Sequence, residues 1–78
     1  MVELILFGTL GCHLCEEAEL ILAHFKQVNI ELIDIAEQDQ WQDKYAIRIP
    51  VLYHAETGKE LCWPFEQVQA QAFINALN

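Results

Sequence analysis

Cys12-His13-Leu14-Cys15 places two thiols three residues apart, immediately after an apolar run at residues 2–7 and a Gly8-Thr9-Leu10-Gly11 turn. From Leu14 onward, apolar residues recur at 14, 18, 21, 22, 25 and 28, the series of one helical face. Cys12 therefore falls at or beside the N-cap of a helix, and Cys15 one turn in. A thiolate at a helix N-terminus receives unsatisfied backbone N–H groups and the positive end of the dipole. Such cysteines have pKa values of roughly 3.5 to 7.5, against about 8.5 for free cysteine. Cys12 can then act as a nucleophile at neutral pH, and a mixed disulfide on Cys12 can be attacked by Cys15. His13 either lends its charge to Cys12 or is a polar surface residue only. Glu16, Glu17 and Glu19 compensate the helix dipole, and their charge partly offsets its effect on a thiolate.

The surrounding elements follow from periodicity. Residues 2–7 read as a strand buried on both faces, and residues 13–27 as a helix. Residues 29–35 read as a second strand, which makes a right-handed βαβ unit with two parallel strands. A short helix is predicted over 36–45, where Trp41 and Tyr45 stand at i, i+4. Residues 49–54 and 59–63 form an antiparallel hairpin around Ala55-Glu56-Thr57-Gly58, whose glycine can supply a positive φ. Pro64 is placed at the first position of a closing helix whose apolar face is Ala70, Phe73, Ile74 and Leu77. The order is βαβαββα: an α/β fold with a mixed four-stranded sheet and flanking helices.

Composition narrows the function classes. The chain has 78 residues, 54% of them apolar, which supports one small domain over residues 1–78 with a real core. Four Lys and Arg against twelve Asp and Glu give a formal charge of −8, and the cations Lys26, Lys44, Arg48 and Lys59 are scattered. Nucleic acid and anionic membrane surfaces are thereby set aside, since both need basic stripes. No cationic leader and no apolar run of roughly 20 residues is present, so the expectation is a soluble, cytoplasmic monomer. Three cysteines are too few, and odd in number, for a secreted disulfide scaffold. Cys62 reads as a core cysteine on the hairpin, and Trp63 as a surface or packing residue that could wall the groove beside the cysteine pair.

Phe7-Gly8-Thr9-Leu10-Gly11-Cys12-His13-Leu14-Cys15-Glu16, Arg48-Ile49-Pro50-Val51-Leu52 and the element order resemble the glutaredoxin-like branch of the thioredoxin superfamily over essentially the full chain. The resemblance implies a thioredoxin-like fold and a thiol–disulfide oxidoreductase with Cys12 and Cys15 as catalytic residues and no bound cofactor. It implies that Ile49-Pro50 is a cis peptide lying against the Cys12 sulfur, and that the backbone of Ile49 holds an extended thiol substrate. Protein or low-molecular-weight thiols and disulfides are the implied partners. Arg48, just upstream, is the cation placed to attract an acidic substrate.

The pattern also departs from the family. Glutathione-binding glutaredoxins commonly carry a lysine where this chain has Thr9, and a Gly-Gly followed by an acidic pair where it has Leu61-Cys62-Trp63-Pro64-Phe65-Glu66. These departures leave glutathione open as a partner. Thioredoxins carry a buried Asp at the position of Leu6, so any base here must be His13, Glu16 or solvent. The competing reading is a soft-metal-binding or metal-transfer module, since a Cys-X-X-Cys opening a helix also suits Cu(I) or Zn²⁺. Heavy-metal-associated domains of βαββαβ order end in a strand, however, whereas residues 65–77 are helical by pattern.

Overall fold

A computed structural model describes residues 2–37 and 48–77. Strand β1 (Val2–Gly8) leads into helix α1 (His13–Leu22), which returns to strand β2 (Val28–Asp34) and a single 3-10 turn, Ile35–Glu37. Strands β3 (Val51–His54) and β4 (Lys59–Cys62) form a hairpin, and helix α2 (Gln67–Asn75) follows. The sheet order is β2-β1-β3-β4, with β2 parallel to β1 and β3 antiparallel to both β1 and β4. The mixed four-stranded sheet is the one read from the sequence. The helix expected over 36–45 lies almost wholly outside the described residues; Ala36 and Glu37, at its start, belong to the 3-10 turn.

β1 is apolar from Leu4 to Phe7 because that stretch is covered on both sides, while Glu3 near its start is exposed. Leu4 and Leu6, with Leu52 of β3, face Ala18 and Leu22 of α1 and Ala70 and Ile74 of α2. The alternate residue Phe7 joins Val51 and Ile35 in a second cluster on the opposite face, with Ile5 packed against it. The fully buried Ala18 and Ala70 let the two helices lie close to the sheet.

Several boundaries differ from the pattern, Ile35 falling in the 3-10 turn and β4 ending at Cys62 among them. Helix α1 stops at Leu22 rather than running to residue 27. His24 and Phe25 turn off with N–H bonds to the carbonyls of Ile21 (3.3 Å) and Leu22 (3.1 Å). The apolar series nevertheless continues, because Phe25 enters the core from the turn and Val28 from β2, where it pairs with Val2. Pro64 is not the first residue of the last helix: the Trp63–Pro64 peptide is cis, and α2 opens at Gln67 after the N-cap Glu66. The residues between β4 and α2, bent at Trp63–Pro64, drop Phe65 into the core, edge-on to Trp63 with ring centroids 5.1 Å apart. Residues 49 and 50 precede β3 rather than belonging to it. In the hairpin turn Gly58 has φ 75° and donates its N–H to the His54 carbonyl at 2.8 Å, as its sequence position requires.

Candidate active site

The loop from β1 to α1 is built to deliver Cys12 to a helix start. Cys12 N–H donates to the Thr9 carbonyl at 3.3 Å, closing a turn in which Gly11 takes φ 75°, a conformation that disfavours a side chain. Cys12 is then the N-cap of α1, in extended conformation (φ −84°, ψ 107°). Its Sγ accepts the backbone N–H of Cys15 at 3.1 Å, and its carbonyl accepts the N–H of Glu16 at 3.2 Å. The sulfur thus takes the role that a Ser or Asp oxygen has in ordinary caps, and a thiolate there would face a donor already in place.

Cys15 is disulfide-bonded to Cys12, with Cα atoms 5.2 Å apart. The two sulfurs differ in access: Cys12 is half-buried, whereas Cys15 is only 5% exposed. Gly8 lies against the inner cysteine. A Cβ on Gly8 would stand 3.0 Å from Cys15 Sγ and 3.3 Å from its Cβ. Sequence reasoning passed over Gly8 as part of a turn, although a glycine closing a buried strand three residues before another glycine was the available signal.

The other residues singled out from the sequence are distributed around this pair. The Ile49–Pro50 peptide is cis, and Pro50 is buried, its carbonyl accepting the Trp63 N–H at 3.1 Å. The register pairing Phe7 with Val51 sets Pro50 across from Gly8, at the end of the sheet that carries the disulfide. Ile49 is half-buried against the Phe7–Val51 cluster. His13 is solvated on α1, with Nε2 3.9 Å from Glu17 Oε2. Trp63 packs into the core beneath the two helices.

Arg48 is engaged on β4. Its Nη2 donates to Cys62 Sγ at 2.9 Å and lies 3.4 Å from Glu60 Oε1. The Cys62 sulfur, chiefly, and the Glu60 carboxylate push its already high pKa further up. Cys62, expected as a core cysteine, is instead a free, half-buried thiol at the margin of the Phe7–Val51 cluster, and it also takes this N–H. The contact was not anticipated, though Glu60 and Cys62 are i, i+2 on one strand and must share a face. Among the described residues no group of three or more His, Cys, Asp or Glu side chains that could hold a metal ion is gathered, and the last described element is a helix, whereas heavy-metal-associated domains end in a strand. Among them, too, no helix is long and apolar enough to cross a membrane.

A mixed sheet in β2-β1-β3-β4 order, a Cys-X-X-Cys pair at the start of the helix after β1 and a cis-proline just before β3 define the thioredoxin-like fold, in its glutaredoxin-like form. The family model described as "Glutaredoxin-like domain (DUF836)" matches residues 3–75, and the chain belongs to that family. It is similar to the crystal structure of structural-genomics target protein XcR50 from X. campestris, at 32% identity and a TM-score of 0.86, over 94% of this chain and 96% of that one. It is also similar to the solution structure of protein Ne2328 from Nitrosomonas europaea, at 35% identity and a TM-score of 0.69, over 77% of this chain and 74% of that one. No curated protein matches the sequence.

Proposed function

We propose that the protein is a thiol–disulfide oxidoreductase working through Cys12 and Cys15 as a monomer in the cytoplasm. The observation that carries the reading is the asymmetry of the pair: an N-cap sulfur with a backbone donor at 3.1 Å, bonded to a buried partner one turn along the helix. In the reduced protein, the Cys12 thiolate attacks a partner disulfide. A Cys12–partner S–S bond forms, the partner's own S–S bond breaks, and the departing thiolate takes a proton from solvent. Cys15 then gives up its proton and attacks Cys12 Sγ, forming the Cys12–Cys15 disulfide and expelling the second partner thiolate. The partner gains two electrons and two protons, and the protein dithiol loses them. A low-molecular-weight thiol or a protein dithiol reverses the exchange to restore the pair. Cys15, close to Cys12 in space and hidden from bulk solvent, resolves the mixed disulfide faster than a second partner molecule reaches it.

Supporting roles follow the same geometry. Pro50, and the backbone of Ile49 before it, border the disulfide end of the sheet, where an extended substrate segment would lie. Arg48 acts at that border while bound to Cys62 and Glu60. The test is the midpoint potential of the Cys12/Cys15 couple in defined thiol buffers. A potential inside the approximate span of −120 to −270 mV of thioredoxin-fold proteins supports the reading, and no measurable couple ends it. Trapping separates the roles: Cys15→Ser should accumulate mixed disulfides through Cys12, and Cys12→Ser should accumulate none.

A further inference from the structure

Helix α1 and the edge strand β2 do not close on each other. A hollow of about 180 Å³ begins at the disulfide, where Gly8 and Cys15 form its wall, and passes between Leu10, Glu19 and Leu32. A second hollow adjoins it, sharing Glu19 and Leu32, and continues along the α1 side of β2 past Ile30 to Phe25. Both are lined mainly by apolar side chains. Leu10, at 88%, and Leu32, at 57%, are exposed along this hollow. Among the described residues β2 is the outer strand of the sheet on this side, so its seven residues run along the groove with no strand beyond them. Two exposed leucines flank one apolar hollow beside the disulfide, as at a contact surface, whereas Leu14, Leu20 and Val68, also exposed, line neither hollow.

Charge chooses the occupant. The described residues lining the two hollows include two carboxylates, Glu19 and Asp34, and neither lysine nor arginine. Glu16, one turn before Glu19 on α1, adds to the same field, in a chain of formal charge −8. An acidic partner would be repelled here, whereas a cationic one would meet the Glu19 carboxylate; Asp34 already accepts the Ala36 N–H at 2.9 Å.

We infer that the groove between α1 and β2 docks an extended, apolar segment bearing lysine or arginine on the disulfide-carrying protein that the pair reduces, with a leucine-sized side chain over Leu32 and a cation against Glu19. This surface lies on the Cys15 side of the pair, across β1 from the Pro50 border, so a partner disulfide would be approached from two sides. The inference rests on the oxidoreductase reading for what the docked protein carries, but its binding test does not require turnover.

The oxidised protein is titrated with two labelled, cysteine-free peptides of equal apolar content, one with three lysines and the other with three glutamates, and anisotropy is recorded. The lysine peptide should bind about tenfold or more tightly than the glutamate peptide at low salt, and the ratio should shrink near 0.5 M salt as screening sets in. Glu19→Lys should reduce the ratio several-fold, and Leu32→Asn should weaken both peptides. Amide shifts on binding should map to Leu10, Glu19 and Leu32. Equal affinities, a ratio untouched by Glu19→Lys, shifts confined to the β3–β4 side, or concentration-dependent dimers that occlude Leu32 would each overturn the proposal. Because the peptides contain no cysteine, a failed redox measurement and a failed docking measurement remain distinguishable.

Discussion

At the scale of single residues, the site is an unequal pair of sulfurs. Cys12 accepts a backbone N–H and faces outward, and Cys15 is buried against Gly8. Brief alkylation of the reduced protein at neutral pH, followed by peptide mapping, should therefore label Cys12 ahead of Cys15 and Cys62. Its rate should titrate with a midpoint below the roughly 8.5 of a free thiol. Label falling mainly on Cys15 or Cys62 would reverse the assignment. Gly8→Ala forces Cys15 Sγ to yield by a few tenths of an ångström. The oxidised form, whose sulfur is tied to Cys12, accommodates this less well than the dithiol. The variant should lose about 1–3 kcal/mol of stability in the oxidised state and less in the reduced state. The couple should accordingly become more oxidising, by about 30 mV for every 1.4 kcal/mol of difference. Equal losses in both redox states would show that Gly8 serves packing alone.

At the scale of elements, the β1–α1 loop is what turns a Cys-X-X-Cys string into a site. The turn at Gly11 aims the chain so that Cys12, and not a neighbour, becomes the N-cap. A Cβ at Gly11 would meet no atom within 4 Å, so the cost of Gly11→Ala is conformational rather than steric. The variant should be destabilised by about 1–2 kcal/mol, measured by urea unfolding, since the added methyl packs against nothing that could offset the backbone strain. An unchanged unfolding midpoint would mean that the loop relaxes to another cap. The hairpin does the corresponding work on the other side of the sheet. Its register, Val51 opposite Phe7 and Cys62 opposite Val51, brings Pro50 and Cys62 to the end of the sheet where the disulfide lies.

At the scale of the molecule, charge governs encounter. Glutathione is an anion at neutral pH, Thr9 stands where a lysine would attract it, and the guanidinium of Arg48 is engaged by Glu60 and Cys62. Activity in a glutathione-coupled disulfide assay should be weak and should rise with moderate salt, because screening sets in beyond a Debye length of about 10 Å at 0.1 M. Arg48→Glu should lower it further. Fast turnover that falls with salt and ignores Arg48 would overturn this electrostatic account. A lysine-bearing disulfide peptide should show the opposite salt dependence.

The sequence by itself determined the sheet, the helix on which the cysteines stand and the outer and inner placement of Cys12 and Cys15. Strand and helix periods are local, and a Cys-X-X-Cys at a helix start has one sulfur at the cap and the other a turn inside. It also exposed the acidic balance that bears on partners. Only the tertiary structure decided where α1 ends, because Phe25 and Val28 continue a helical spacing that the β1–β2 register overrides. The same is true of Pro64, which reads as a helix start until Phe65 is seen to occupy the core. The packing of Gly8 on Cys15, the grip of Arg48 on Cys62 and the open groove beside Leu32 join residues distant in the chain or on different elements. Such contacts depend on how the elements are stacked, and no periodicity along the chain encodes that stacking.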